Sequence, residues 1–364
     1  MRWDIFCHVV DNYGDIGVCW RLARQLAARG ESVHLWTDDP GVLRWMAPGG
    51  AHGVEVHDGL APDARFEAGD VVISAFDSPL TQSVVLAIAR ANSRGAHRCT
   101  WIQLEYLSAE DYVAASHGLA SPVHGGAHGG IHKWFFFPGF EAQSGGLLRD
   151  PDLMQRRARF GCADWLQANG IRDAGRKRIS LFCYEPQELG TWFSQLGAGQ
   201  CGPVHLLVTA GRATQAAQAA LAGMPVGWNP HALVEFTFLD HLTQDGYDEL
   251  LWVCDCNFVR GEDSLVRAIW AGAPFIWHIY PQSDAAHGAK LGAFLDWLGA
   301  PPSLREFESR WNGFEGHGAN ASDRGPLPAI DFSQWQAVAE NARKRLLVQD
   351  DLVSRLLRFI AEKR

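Results

Sequence analysis

The chain has 364 residues, which favours two domains over one hydrophobic core. Hydrophobic residues make up 47% and charged residues 20%, as in globular proteins, and the net charge of −9 argues against a nucleic-acid binder. There is no apolar run long enough to span a membrane, no signal-peptide pattern at the start, and no CxxC pair among the eight cysteines. The sequence therefore predicts a cytoplasmic protein with reduced thiols and no membrane partner.

Strands and helices are predicted to alternate in the first part of the chain. A β-rich run at 3–10 is followed by a turn-rich loop at 11–17, a helix at 18–27 and a strand at 32–37. Further elements follow at similar spacing, namely a strand at 70–75, a helix at 80–93 and a strand at 99–104. This alternation predicts a parallel, doubly wound sheet in a Rossmann-like domain, which we place at residues 1–153.

Residues 116–140 are rich in Gly, Pro, His and aromatic residues, and we predict a long surface loop there. His124, His128 and His132 recur at intervals of four, a spacing that resembles a metal site on a helix. Paired glycines separate these histidines, however, so a helix is not expected and we assign no metal to them. The aromatic run at 134–140 is interpreted as packing at the domain edge.

A second alternating set follows a predicted helical connector at 149–166. Strands are predicted at 179–184, 204–209, 234–239, 250–253 and 275–281, and a helix at 264–271. Residues 303–330 are expected to be irregular, and 332–364 to form one long amphipathic helix. We place a second Rossmann-like domain at 154–340 and expect the segment 341–364 to pack back toward the first domain.

The stretch from Arg260 to Ser264 is the first candidate site. It lies between a predicted strand and a helix that Asp263 or Ser264 could cap, so that first-turn N–H groups would face an anion such as a diphosphate without a metal. Tyr184 and the turn at 280–284 are expected at the same sheet edge. An ordinary strand-to-helix crossover with a solvated Glu-Asp turn remains the alternative.

A second candidate site is the loop that carries Asp11 and Asp15, after the first predicted strand. Ligands bind at the carboxyl edge of such a sheet, and two carboxylates there suit a general base or a cationic acceptor rather than a phosphate. The alternative is that Asp15 caps the following helix. The short Gly14-x-x-Gly17 pattern does not match a dinucleotide fingerprint, which argues against a nicotinamide dehydrogenase.

Four motifs also resemble a known family, the bacterial arginine rhamnosyltransferases that modify translation elongation factor P. They are 11–26 (DNYGDIGVCWRLARQL), 134–140 (WFFFPGF), 258–264 (FVRGEDS) and 270–282 (WAGAPFIWHIYPQ), and they extend over both predicted domains. The resemblance implies a GT-B fold, α/β with two Rossmann-like domains facing a cleft. It also implies inverting transfer of L-rhamnose from dTDP-β-L-rhamnose to an arginine on the N-terminal domain of elongation factor P, with no cofactor or metal.

The resemblance further implies roles for individual residues. The essential carboxylates would be Asp11, Asp15 and Glu262, and the donor-binding residues would be Tyr184, Gln244, Arg260, Glu262, Asp263 and Ser264. Our hypothesis is that Asp15 is the base, Asp11 holds the guanidinium or positions Asp15, and Glu262 binds the sugar or the ribose. The alternatives are another GT-B nucleotide-sugar enzyme, such as an epimerase or a small-molecule or lipid glycosyltransferase, and a non-catalytic binding module.

Overall fold

Two β-sheets, one mainly parallel and one fully parallel among the described residues, organise the chain, each in its own unit of the structure. The structure, a computed structural model, describes residues 1–11, 13–63, 65–93, 98–123, 131–281, 286–314 and 325–363. Unit 1 contains Met1–Pro151 together with Val348–Arg364, and unit 2 contains Asp152–Leu347. Among the described residues, no helix is long and apolar enough to cross a membrane.

The sheet of unit 1 has seven strands among the described residues. They are β1 (Arg2–Cys7), β2 (Ser32–Thr37), β3 (Val54–Asp58), β4 (Val71–Ala75), β5 (Thr100–Leu104), β6 (Ala120–Pro122) and β7 (His132–Phe136). The helices of this unit are α1 (Gly14–Ala27), α2 (Leu43–Met46), α3 (Gln82–Ser93), α4 (Tyr112–Ser116) and α14 (Leu352–Lys363). The strand order is β3-β2-β1-β4-β5-β7-β6, and every pairing is parallel except β6 with β7.

Apolar side chains on both faces of the sheet explain why unit 1 folds this way. The central strands β1 and β4 are buried almost throughout, as expected when helices cover a parallel sheet on both sides. On one face, α1 and α14 pack in the same hydrophobic cluster, with Leu22 and Leu26 contributed by α1 and Leu356 and Ile360 by α14. The C-terminal helix is therefore part of the core of unit 1.

The sheet of unit 2 has five parallel strands among the described residues. They are β8 (Lys177–Leu181), β9 (Val204–Val208), β10 (Val234–Phe238), β11 (Cys256–Arg260) and β12 (Phe275–His278). The helices are α5 (Leu153–Arg159), α6 (Cys162–Ala168), α7 (Leu189–Gly197), α8 (Arg212–Ala222), α9 (Gln244–Val253), α10 (Gly261–Ala271), α11 (Ala286–Leu298), α12 (Pro302–Trp311) and α13 (Phe332–Leu347). The strand order is β10-β9-β8-β11-β12.

Four predictions of local structure are wrong. The segment at 116–140 is not one long surface loop, because strands β6 and β7 lie in it and pair in the sheet of unit 1. The apolar run at 250–253 is the end of helix α9 and not a strand, because a short apolar run does not distinguish a buried helix from a buried strand. Helix α12 occupies part of the region expected to be irregular. The single helix expected at 332–364 is two helices, α13 and α14, separated by the residues 348–351.

Both sheets repeat the strand order 3-2-1-4-5, counted from the first strand of each unit. In this order, the chain leaves the first strand in one direction and the fourth strand in the other, so a crevice opens between their carboxyl ends. In unit 1, the crevice lies beyond β1 and β4. In unit 2, it lies beyond β8 and β11, and ligands of doubly wound sheets bind at such positions.

Candidate active site

The loop after β1 places two carboxylates at the switch point of unit 1. Asp11 is half-buried in the loop, and Asp15 is 5% exposed in the first turn of α1. Oδ2 of Asp15 accepts hydrogen bonds from the backbone N–H groups of Val10, at 2.9 Å, and Asp11, at 3.0 Å. The carboxylate of Asp15 therefore holds the turn that carries Asp11, so the positions of the two acidic residues depend on each other.

Helix α1 begins earlier than the sequence predicted. Its first residue is Gly14 rather than residue 18, and its N-cap is Tyr13, which makes no side-chain capping hydrogen bond. The alternative that Asp15 caps the helix is therefore wrong. A Cβ atom on Gly14 would lie 2.9 Å from Oδ2 of Asp11, so the glycine is what allows Asp11 to fold against the start of the helix.

In unit 2, strand β11 passes directly into helix α10. Arg260 is the N-cap in extended conformation, and Gly261 follows with φ of +62°, a left-handed value that glycine adopts without strain. Neither Asp263 nor Ser264 caps the helix, so that prediction is wrong. Instead, the Ser264 hydroxyl accepts the N–H of Arg260 at 3.1 Å and donates to the Arg260 carbonyl oxygen. Ser264 thus closes the turn.

Arg260 points along the carboxyl edge of the sheet toward aromatic rings. Its guanidinium lies 4.6 Å from the ring centroid of Tyr184 and 4.7 Å from that of Phe182, and both Arg260 and Tyr184 are nearly fully buried. The guanidinium of Arg212, at the start of α8, lies 4.9 Å from the same Tyr184 ring and also pairs with Glu185. Two arginines therefore meet at Tyr184, which joins the ends of β8, β9 and β11.

His278, the last residue of β12, supports this cluster from the neighbouring strand. It lies opposite Arg260 in the sheet, its ring packs edge-on against Tyr184, and its Nδ1 accepts the Tyr184 N–H at 3.3 Å. Burial, followed by the charge of Arg260, lowers the pKa of His278 to about 3. His278 is therefore neutral at physiological pH, and its proton lies on Nε2.

The first turn of α10 carries the acidic residues of this region. Glu262 forms an ion pair with Lys290 of α11, and both side chains are 17% exposed. Asp263 is half-buried beside it. Because Lys290 balances the charge of Glu262, the helix N-terminus keeps part of its preference for an anion, since its N–H groups carry partial positive charge.

Gln244 is the first residue of α9, where its side chain is 5% exposed. Tyr247, one turn later on the same helix, lies edge-on to Phe182, with 5.4 Å between the ring centroids. Helix α9 thus packs against the aromatic ring that the Arg260 guanidinium also contacts. The structure places Gln244 on that helix, and its role in donor binding stays a prediction.

The structure therefore groups the predicted donor residues in unit 2 and the predicted carboxylates Asp11 and Asp15 in unit 1. Four residues of this region were not among the predicted site residues, namely Arg212, Tyr247, His278 and Lys290. The Gly-Arg pair at the end of β9 was an available signal for Arg212, but Lys290 lies outside every motif. The predicted turn residues Gln282, Ser283 and Asp284, and the histidines His124 and His128, lie outside the described residues; His132 lies in β7.

Solved structures of glycosyltransferases share this fold over the whole chain. The glycosyltransferase SnogD from Streptomyces nogalater has a TM-score of 0.51 at 14% identity, with 100% of both chains covered. The glycosyltransferase VinC in complex with dTDP has a TM-score of 0.52 at 13% identity, also with 100% of both chains covered. With two 3-2-1-4-5 sheets and these neighbours, the chain has the fold of the GT-B glycosyltransferases, as the sequence predicted.

A more specific match follows from the family comparison. The family described as Elongation-Factor P (EF-P) rhamnosyltransferase EarP matches residues 3–361. The protein-arginine rhamnosyltransferase of Pseudomonas aeruginosa is 42% identical over 386 residues, covering 99% of each chain, and that of Pseudomonas putida is 44% identical over 384 residues, covering 98% of each chain. The chain belongs to the EarP family of EF-P rhamnosyltransferases and is a glycosyltransferase.

A solved structure of this family gives the same result. It comes from work on EarP-mediated arginine glycosylation of translation elongation factor EF-P, and it is 29% identical to this chain with a TM-score of 0.63. The match covers 100% of this chain and 99% of that chain. The family resemblance predicted from the four motifs is confirmed.

Proposed function

We propose that the chain transfers L-rhamnose from dTDP-β-L-rhamnose to an arginine side chain of translation elongation factor P, with inversion at the sugar. Family membership supports this reaction, and the relatives carry the name protein-arginine rhamnosyltransferase. The acceptor would bind to unit 1 and the nucleotide sugar to unit 2. Because the acceptor is a component of translation, the reaction would take place in the cytoplasm.

The observation that carries the proposal is the opposite chemistry of the two switch points. Unit 1 presents the carboxylates of Asp11 and Asp15, which suit a cationic guanidinium. Unit 2 presents Arg260 and Arg212 around Tyr184, beside the N-terminus of α10, which suits an anionic diphosphate. A transfer from a diphosphate donor to a guanidinium acceptor needs acidic residues at one binding site and basic residues at the other.

In the acceptor half, Asp15 would act as the general base. Guanidinium is a poor nucleophile because its pKa is above about 12, so a carboxylate must orient the attacking nitrogen and remove a proton as the bond to the sugar forms. The two backbone hydrogen bonds to Oδ2 would keep the Asp15 carboxylate in one orientation for this task. Asp11 would hold the guanidinium beside it.

In the donor half, charge would build on the departing diphosphate as the bond between sugar and phosphate breaks. Arg260, Tyr184 and the N–H groups at the start of α10 would stabilise that charge, and we propose that no metal ion is needed. Ser264 would act indirectly, since its hydroxyl closes the turn at Arg260. Glu262 and Asp263 would bind hydroxyl groups of the sugar or ribose, and Gln244 would contact the thymine.

The test is the intact mass of elongation factor P after incubation with the full chain and dTDP-L-rhamnose. We expect the increment of one deoxyhexose on a folded acceptor that carries arginine at its loop tip. An acceptor with lysine at that position, and reactions with UDP-glucose, are the matched controls and should show no increment. No increment on the arginine acceptor would refute the proposed reaction.

Chelation separates the proposed mechanism from a metal-dependent one. Because Arg260 and the N-terminus of α10 are proposed to neutralise the diphosphate, the rate in EDTA should equal the rate without it. The measurement is the initial rate of dTDP release, with a metal-dependent glycosyltransferase assayed in parallel as the control. Loss of activity in EDTA that added Mg²⁺ restores would contradict this part of the proposal.

A further inference from the structure

Three metal-ligating side chains converge on the outer strands of the unit 1 sheet, in a segment that the proposed reaction does not use. They are His34 of β2 and Glu55 and His57 of β3. Nδ1 of His34 lies 2.9 Å from Nε2 of His57, and the carboxylate of Glu55 lies 3.6 Å from the first nitrogen and 3.7 Å from the second. The two carboxylate distances belong to different oxygens, Oε2 toward His34 and Oε1 toward His57, and one ligand atom of each residue lies within 4.8 Å of those of the other two.

The strand register produces this convergence. His34 lies directly opposite Glu55 in the parallel ladder, and Trp36 lies opposite His57. Because side chains alternate between the faces of a strand, His34, Glu55 and His57 all lie on one face, while Val33 and Leu35 point into the hydrophobic cluster on the other. The register of β2 and β3 therefore determines the positions of the three side chains, and no loop conformation is involved.

Neighbouring residues hold the cluster from one side. The indole of Trp36 stacks on the His57 ring with 3.9 Å between the ring centroids, and its Nε1–H donates to the carboxylate of Asp4 at 3.3 Å. Asp4 is 1% exposed, and it also accepts the N–H of Gly69 at 2.8 Å. The indole, held by Asp4, therefore restrains the orientation of the His57 ring.

The separations fit a transition metal. Tetrahedral Zn²⁺ with bonds of about 2.0 to 2.2 Å keeps its ligand atoms roughly 3.3 to 3.6 Å apart. The two distances from Glu55 are close to this separation, and the two imidazole nitrogens, which are 2.9 Å apart, would move apart by a few tenths of an ångström to bind the ion. Two imidazoles and one carboxylate are a donor set that Zn²⁺ accepts and that Mg²⁺ and Ca²⁺ do not favour. Glu55 is 66% exposed, which leaves solvent access for a water ligand.

We propose that His34, Glu55 and His57 form a binding site for one divalent transition-metal ion of the Zn²⁺ type, with water as the fourth ligand. The imidazole that donates the hydrogen bond between the two rings changes tautomer and carries its proton on its other ring nitrogen, so that both facing nitrogens offer a lone pair and two nitrogen–metal bonds replace the hydrogen bond. The ion joins β3, the edge strand of the sheet, to β2. Its role is structural, and it is separate from the transfer reaction.

Zinc titration of the full chain tests the proposal. The histidines His124, His128 and His132 are first replaced by alanine, so that the other histidine-rich segment contributes no ligand. Calorimetric titration of this parent with ZnCl₂ should give one equivalent of bound ion. His34→Ala and His57→Ala should each weaken binding at least tenfold, whereas His52→Ala, which removes an exposed histidine nearby, should leave it unchanged.

Cobalt provides an independent readout. Co²⁺ bound to the parent should show the intense visible absorption of a four-coordinate site, and Glu55→Gln should reduce its affinity for the ion. Far-UV circular dichroism of each variant confirms that it is folded. The proposal is overturned if the parent binds no ion, or if a folded His34→Ala/His57→Ala variant binds zinc as tightly as the parent.

Discussion

Asp15 and Asp11 share one loop, but the structure holds them differently. The carboxylate of Asp15 is buried and fixed by two backbone N–H groups, whereas Asp11 is half-buried in the turn. A fixed carboxylate suits a base that must meet a nitrogen in one geometry, and a more accessible one suits binding of the acceptor. This difference supports the proposed roles and makes them separable by kinetics.

Asp15→Asn should lower kcat by about 10²- to 10⁴-fold, because the amide cannot accept the proton. The affinity for dTDP should not change, since the donor residues belong to unit 2. Single-turnover rates and calorimetric titration with dTDP measure the two effects, with exposed Asp111→Asn as the matched control. A tenfold loss of dTDP affinity in Asp15→Asn would contradict the assignment.

Asp11→Asn should instead raise the KM for the acceptor more than it lowers kcat.

Arg260 is the residue of the proposed donor half whose replacement we expect to weaken dTDP binding most. Arg260→Lys keeps the charge but loses the planar group that lies over Tyr184 and Phe182, so we expect dTDP to bind about tenfold more weakly. Thymidine lacks phosphate, and its affinity should stay the same. The matched control is Arg172→Lys, at an exposed position of unit 2. Equal losses for dTDP and thymidine would show a general disturbance of the unit and not a phosphate contact.

At the scale of elements, a buried ion pair connects α9 and α10, the helices that precede and follow β11 in the chain. Asp248 of α9 accepts two hydrogen bonds from Arg267 of α10, both at 2.6 Å, and each side chain is 1% exposed. Helix α10 begins directly at Arg260, so the pair also helps to orient the turn that carries the donor residues. Its removal should affect stability because a buried guanidinium that loses its hydrogen bonds to a carboxylate is costly to keep in the interior.

Asp248→Asn should lower the free energy of unfolding by about 3 to 5 kcal/mol, since Arg267 loses its counter-charge in the interior. Chemical denaturation followed by circular dichroism measures the change. Asp245→Asn is the control on the same helix, because Asp245 is an exposed member of an ion pair and its loss should cost about 0 to 1 kcal/mol. Similar losses in the two variants would refute the importance of the buried pair.

For the whole molecule, buried histidines link stability to pH. The pKa of His278 is lowered to about 3 by burial and by the charges of Arg260 and Arg212, against an opposite effect of Glu185. In unit 1, burial lowers the pKa of His117 to about 4. Unfolded histidine titrates near 6.5, so the unfolded chain takes up protons at a higher pH than the folded chain does. The free energy of unfolding should therefore fall as the pH falls below about 6.5.

The contribution of His278 to this fall should approach about 1.4 kcal/mol per pH unit between about pH 6 and pH 4. Chemical denaturation of the full chain at several pH values measures this slope. His278→Gln keeps an acceptor for the Tyr184 N–H but does not titrate, so the slope of this variant should be flatter. The slope of the control His52→Gln should equal that of the unmodified chain. An unchanged slope in His278→Gln would show that His278 does not limit acid stability.

Much of the fold was predictable because buried strands and amphipathic helices have distinct periods. The predicted strand at 32–37 coincides with β2, and both candidate loops lie at the switch points expected of doubly wound sheets. Strand β3 was missed because its side chains are mostly exposed and polar, as at an edge. The helix α9 was mistaken for a strand because the run at 250–253 is apolar at every position.

The sequence by itself determined the two-domain α/β class, the candidate carboxylates Asp11 and Asp15, and the motif around Arg260. These features are local, and a few consecutive residues encode each of them. Only the tertiary structure decided that Arg212 and Arg260 meet at one tyrosine ring and that the side chains of His34, Glu55 and His57 meet on β2 and β3. Those contacts join residues that are distant in the chain, and strand order and register, which packing determines, bring them together.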